Sequence, residues 1–217
     1  MPLPHTWRTK RIPAWAKITY ATALLVIVPI YAFEHGLANF LWFSNVALIL
    51  AAVATVLEHK KLASMIAVGV LIPELAWNFD LFIALVTGSH PLGLTRYMFQ
   101  ADIPLIARLL SLYHVILPPL LIYLLYQLGY HHHAWRTQII LGWAVLLATY
   151  TLTDPQANIN WAFGPGEEPQ TFTHPLAWLA IILIAYPLLI VLPTHAILRL
   201  IFKTPPQPCA QNQPHDP

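Results

Sequence analysis

Charge is what this sequence has least of. Only 9% of its 217 residues are Asp, Glu, Lys or Arg, against about 25% in a soluble domain. That is too little polar surface to cover a globule in water. With 58% hydrophobic residues and a mean hydropathy of +0.61, it excludes an ordinary soluble fold. Cysteine is nearly absent. Cys209 stands alone in the C-terminal tail, so no intramolecular disulfide can form. Also missing are the strand-length alternation of a membrane barrel, any internal repeat, and the G-x-S-x-G and H-E-x-x-H signatures. The one basic tract is the N-terminus, with Arg8, Lys10, Arg11 and Lys17. Nucleic acid is not an expected partner; an anionic lipid surface suits that arm better.

What is present are long apolar runs near the ~20 residues needed to cross a bilayer. They predict an all-α, polytopic membrane protein: six transmembrane helices over 18–33, 38–57, 62–86, 104–128, 137–153 and 176–202. A basic arm (1–17) precedes the six-span domain (18–202), and a Pro/Gln-rich tail (203–217), expected to be disordered, follows it. The first run has a basic flank like a signal peptide's, but Tyr31-Ala-Phe-Glu34 is no small-residue cleavage site, so a retained span is expected. With both termini cytoplasmic, Lys60, Lys61, Arg136, Arg199 and Lys203 join the basic arm inside, while Asp154, Glu167 and Glu168 fall outside. That distribution obeys the positive-inside rule, with Arg96 and Arg108 as its exceptions.

Prolines interrupt four of these runs: Pro29, Pro73, Pro118 with Pro119, and Pro187 with Pro193. Each removes an amide and crowds the carbonyl four residues back, which predicts proline-kinked helices. The freed carbonyls, those of His114 and Val115 among them, must find partners inside the protein.

The third run is the costly one. "PELAWNFD" puts Glu74, Asn78 and Asp80 into a segment with 13 Leu, Ile, Val and Phe residues. On an insertion scale those residues return roughly 4–8 kcal/mol and two central carboxylates take back about 5–7. The helix is near break-even and needs a partner. "RLLSLYH" in the fourth run offers Arg108, Ser111 and His114 at the same depth, spaced to share a face, as Glu74 and Asn78 do. The expectation is an ion pair from Arg108 to Asp80 or Glu74, inside an outward-facing polar site that Asn45 also lines. The outer loops would close over it as a lid with Tyr97, Asp154, Asn158, Asn160 and Trp161.

Intramembrane ionisable residues point to function by default. The leading expectation is a site that binds or moves a small polar or lipid-headgroup ligand. Two alternatives stand beside it. One is a membrane-embedded hydrolase acting on a lipid, with Ser111, His114 and a carboxylate as nucleophile set. The other is a purely structural ion pair. Whether the protein is an enzyme is left open. No metal and no cofactor is predicted: His59 and His195 lack the second matched pair of a bis-histidine cytochrome. His131, His132 and His133 read as an interfacial cap. Trp42, Trp77, Trp161 and Trp178 read as one aromatic belt, and Trp7, Trp15 and Trp135 as the other.

"NFLWFSNVALIL", "GLTRYMF", "RLLSLYH", "NINWAFG" and "LPTH" together resemble an uncharacterised family of bacterial integral membrane proteins, over about residues 37–202. The resemblance implies a multi-pass protein of the bacterial inner membrane and no particular activity. It also implies an acid where this chain has Asn45, so one charge of the site would be missing here. A fainter likeness runs to seven-span hydrolases of the alkaline ceramidase type, whose H-x-x-x-H motif this chain lacks.

Overall fold

Apolar runs of this length leave the backbone little choice, because every amide and carbonyl must be served within its own segment. A computed structural model describes residues 11–166 and 168–202, and among them only helices and turns occur, with no strand. The helices are α1 (Ala14–His35), α2 (Phe43–Leu57), α3 (Lys60–Thr87), α4 (Leu105–Leu110), α5 (Tyr113–Leu128), α6 (Ala134–Leu152), α7 (Pro175–Ala185) and α8 (Leu192–Ile201). Four stretches are long and apolar enough to cross a membrane: Ala14–His35, Lys60–Thr87, Leu105–Leu128 and Pro175–Ile201. α2 is apolar but has only 15 residues, about 22 Å at 1.5 Å per residue.

Most of the basic arm and the whole tail, with Arg8, Lys10 and Cys209, lie outside the described residues, as does Glu167. One boundary moves: α1 begins at Ala14, so Lys17 belongs to its first turn and not to the arm. There Lys17 Nζ meets Glu58 Oε1 at 2.6 Å, and the same oxygen accepts from Ile12 N. Lys17 therefore holds the Glu58 carboxyl below its ordinary value.

α3 is the axis. It packs against α2, α5, α6 and α8. Small residues allow the approach: Ala47, Ala51 and Ala54 of α2 and Ala63 and Ala67 of α3 are all buried. α1 is peripheral, and only Ile27 and Tyr31 of that helix are buried. The burial pattern is inverted relative to a soluble protein. Glu74, Asp80, Asn45, Gln138 and Thr149 are inside, while Leu25, Phe33, Phe82, Leu85, Ile116, Ile184 and Leu189 are exposed. Apolar residues outside and polar ones within is the order that lipid, not water, stabilises.

Each helix runs on past its prolines; none ends at one. Three of the freed carbonyls face donors from other segments. Pro73 cannot reach Gly69 O, which faces Tyr186 Oη at 3.5 Å. Pro118 cannot reach His114 O, which accepts from Asn78 Nδ2 at 2.8 Å. Pro187 cannot reach Leu183 O, which accepts from Trp143 Nε1 at 2.7 Å. The prolines thus act as interhelical sockets.

Two departures from regular helix matter. The run expected at 104–128 is pinched between α4 and α5. Leu112 N, His114 N and Val115 N bond three residues back, to Leu109 O, Ser111 O and Leu112 O. In the last run, Tyr186–Val191 forms a π-helical segment between α7 and α8. It carries Tyr186 inward against Gly69 and Gly142, where a Cβ at either position would overlap Tyr186 or its partner Gln138.

Candidate functional site

Halfway along α3, Glu74, Trp77 and Asn78 occupy one face, because they are three and four residues apart. That face meets the first turn of α5. Glu74 Oε2 lies 2.8 Å from His114 Nδ1, with side-chain exposures of 2% and 12%. The imidazole is sandwiched: Trp77 stacks on it at 4.5 Å and Tyr113 at 4.2 Å between ring centroids. Asn78 Nδ2 donates both to its own helix, at Glu74 O, and across to His114 O, each 2.8 Å. Backbone and side chain of His114 are therefore held by one helical face of α3.

Around this pair lies a ring of neutral hydroxyls and amides. Tyr113 Oη donates to Asn45 Oδ1 at 2.7 Å, and Asn45 Nδ2 donates to Asn39 O at 2.8 Å. Tyr31 Oη and Ser111 Oγ are 2.9 Å apart, and Ser111 Oγ also donates to Ala107 O. Tyr97, in the loop before α4, lies beside Ser111 and Trp77. Burial, and secondarily the negative charge of Glu74, push its phenol up to about 12, so it stays a neutral donor. Arg108 donates from Nη1 to Met98 O at 3.2 Å, next to Tyr97. Arg108 Nε is buried without an acceptor, and Trp77 Nε1 faces only the Tyr97 hydroxyl, without a well-formed hydrogen bond. Leaving a buried N–H unserved costs about 1–3 kcal/mol.

The expected ion pair from Arg108 is not what holds the acids. Glu74 takes His114, and Asp80 turns to the loop that follows α3. Its Oδ1 accepts from Leu92 N at 2.8 Å, and its Oδ2 accepts from Thr95 N at 2.9 Å and Thr95 Oγ1 at 2.7 Å. Three aligned donors on a rigid turn satisfy a buried carboxylate without a flexible guanidinium. Asp80 is a loop anchor, separate from the Glu74–His114 pair. Ser111 is likewise turned to Tyr31 and Ala107, with no hydrogen bond to His114.

Of the five lid residues, only Tyr97 stands against the cluster. Asn158 organises its own loop, donating to Gly164 O, Gly166 O and Glu168 O and accepting from Phe163 N. Asn160 docks that loop on α2, accepting from Phe43 N and donating to Leu41 O. Asp154 caps a short turn through Gln156 N. Trp161, at φ +58°, offers its carbonyl to Trp178 Nε1. These are fasteners of the loop, placed there by backbone amides and carbonyls that no side-chain pattern reveals.

Trp77 was expected in an aromatic belt; the structure buries it to 6% exposure and stacks it on His114. Tyr31 and Tyr113 join the cluster without having been singled out. Spacing held the signal, since Trp77 is three residues after Glu74 and Tyr113 adjoins His114. No known family, curated protein or solved structure matches the chain.

Proposed function

We propose that the chain is a multi-pass protein of a bacterial inner membrane, with six spans and both termini cytoplasmic. α2 and α6 complete the four longer spans. In its outward half, the cluster of Glu74, Asn78, Asn45, Ser111, His114, Arg108 and Tyr97 binds or moves a small polar or lipid-headgroup ligand. The lipid bilayer surrounds the apolar faces, and Arg11 of the arm meets anionic headgroups.

One observation carries this reading. Trp77, stacked on the imidazole of the buried carboxylate–imidazole pair, has no well-formed hydrogen bond at Nε1 and faces only the Tyr97 hydroxyl, and Arg108 Nε, near Tyr97 through Met98 O, is buried without an acceptor. A ligand with acceptor oxygens would satisfy them. Hydrolysis is the weaker reading, because Ser111 is not bonded to His114 and lacks a base.

Native mass spectrometry of the detergent-solubilised protein tests the proposal. The wild type should retain a small polar molecule or a phospholipid that Trp77→Phe and Arg108→Lys lose, with thermal unfolding nearly unchanged. Equal retention by all three proteins would place the ligand elsewhere and remove the basis for the reading.

A further inference from the structure

Arg108 is a cation inside a stretch long and apolar enough to cross a membrane, Leu105–Leu128. The two acids expected to meet it are engaged elsewhere: Glu74 with His114, and Asp80 with Leu92 and Thr95. Among the described residues no carboxylate is paired with it. Its hydrogen bond runs from Nη1 to Met98 O, at 3.2 Å. A neutral carbonyl orients a guanidinium but leaves its charge in place. A charge surrounded by apolar helices is costly until an opposite charge meets it.

The shape of the guanidinium limits what that partner can be. The group is planar, and its five N–H bonds point in fixed directions. Nη1 lies on the side of Cδ, and Nη2 lies on the side of the Nε hydrogen. Nε–H and one N–H of Nη2 therefore run parallel along one edge. That edge is the fork that takes two oxygens of a carboxylate or phosphate at once. The bond to Met98 O occupies Nη1 and leaves the fork unused. Nε is buried without an acceptor, and Nη2 donates to none of the described residues.

The position of the side chain gives such a ligand two ways in. On α4, Ala107 is buried, and Ser111, one turn beyond it, is buried as well, while Leu105, Ile106 and Leu109 are exposed. Arg108 is half-buried, at the border of these two surfaces. On one side it touches Met98, whose chain neighbour is Tyr97. On the other lies an apolar surface suited to acyl chains.

We propose that the ligand of this site is an oxyanion, a carboxylate or a phosphate, gripped by Nε–H and Nη2–H of Arg108. This inference rests on the function proposed above and narrows its ligand from polar to anionic. A neutral amide or hydroxyl offers one acceptor oxygen, which fills half of the fork and cancels no charge. The oxyanion can belong to a lipid headgroup, with its chains along Leu105 and Leu109, or to a soluble compound.

The test uses the full chain, isotope-labelled at arginine Nε, in non-ionic detergent micelles free of phospholipid. Dioctanoylphosphatidylglycerol, inorganic phosphate, acetate and the uncharged lipid dioctanoylglycerol are titrated in separate arms. The readouts are the NMR signal of the Arg108 Nε–H, assigned by its loss in Arg108→Lys, and the unfolding temperature. A gripped oxyanion moves that signal downfield and raises the unfolding temperature. Arg108→Lys keeps the charge but has no fork, so it should bind the same probe about tenfold more weakly or worse. A response to phosphatidylglycerol alone makes the ligand a headgroup; a response to phosphate or acetate makes it soluble. If no probe moves the Arg108 signal of the wild type, the inference is wrong, whether or not the variant folds. Equal affinity in a folded Arg108→Lys overturns it too. Stabilisation by dioctanoylglycerol that Trp77→Phe abolishes and Arg108→Lys does not would overturn this inference alone, leaving the broader reading of the site intact.

Discussion

Glu74 and Asp80 lie six residues apart on the same helix, and both are buried. Asp80 meets three donors from one short loop, none of which can change protonation in the physiological range. Glu74 meets a single imidazole, on which Trp77 stacks with no well-formed hydrogen bond at its Nε1. A fully satisfied carboxylate of the first kind is a fastener. One of the second kind remains chemically incomplete, and that incompleteness makes it the candidate site. The contrast shows that burial of an acid alone does not mark function; what surrounds it does.

The sharpest way to break this contrast is to remove Asp80. Asp80→Ala leaves Leu92 N and Thr95 N without an acceptor and Thr95 Oγ1 with His90 Nδ1 alone, and should cost about 3 kcal/mol or more. Denaturant unfolding in detergent micelles would measure it, and a loss under ~1 kcal/mol would deny Asp80 its anchoring role.

A smaller loss is expected at the socket between α3 and α5. Asn78→Leu strands His114 O and should cost about 1–3 kcal/mol. In a Pro118→Ala background the new amide can serve that carbonyl, so the same substitution should cost much less. A double-mutant cycle with no coupling would mean that Asn78 does not replace the missing amide.

Glu74→Gln should be milder still for stability, about 1 kcal/mol or less, because a glutamine can keep a hydrogen bond to His114. It should nevertheless abolish ligand retention in the mass spectrum. If Asp80→Asn impaired retention as strongly as Glu74→Gln, the division between the two acids would collapse.

The smallest effect concerns pH. His131 and His132 have depressed folded-state values, from an ordinary 6.5. The unfolded chain then binds more protons, so their contribution is complete above pH 6.5 and is lost as pH falls through the depressed values. Glu58, depressed from 4.5, adds a second loss at lower pH. Unfolding temperatures should therefore decline on acidification below 6.5, and His131→Gln/His132→Gln should flatten the first part of that decline.

Much of this was legible beforehand. The apolar runs named the helices to within a few residues, except where the turn at Ser111 and the π-segment at Tyr186 disturb them. Helical spacing placed Glu74 and Asn78 opposite His114, and the rule for proline identified His114 O as a carbonyl in need of a donor. Arg108 misled because charge complementarity is a statement about sign. It does not know that loop amides lie closer to Asp80, or that an imidazole lies closer to Glu74. Trp77 misled because a membrane tryptophan carries the same letter whether it faces headgroups or a histidine.

By itself, the sequence determined that the chain forms long apolar helices and that its few polar side chains turn inward. Both follow from local chemistry: an unserved backbone group or a lone charge is costly wherever lipid is the solvent. Only the tertiary structure decided which partner each polar group received, and that His114 and not Arg108 meets Glu74. Those choices depend on distances of a few ångströms between segments far apart in the chain, and periodicity along a helix carries no information about them.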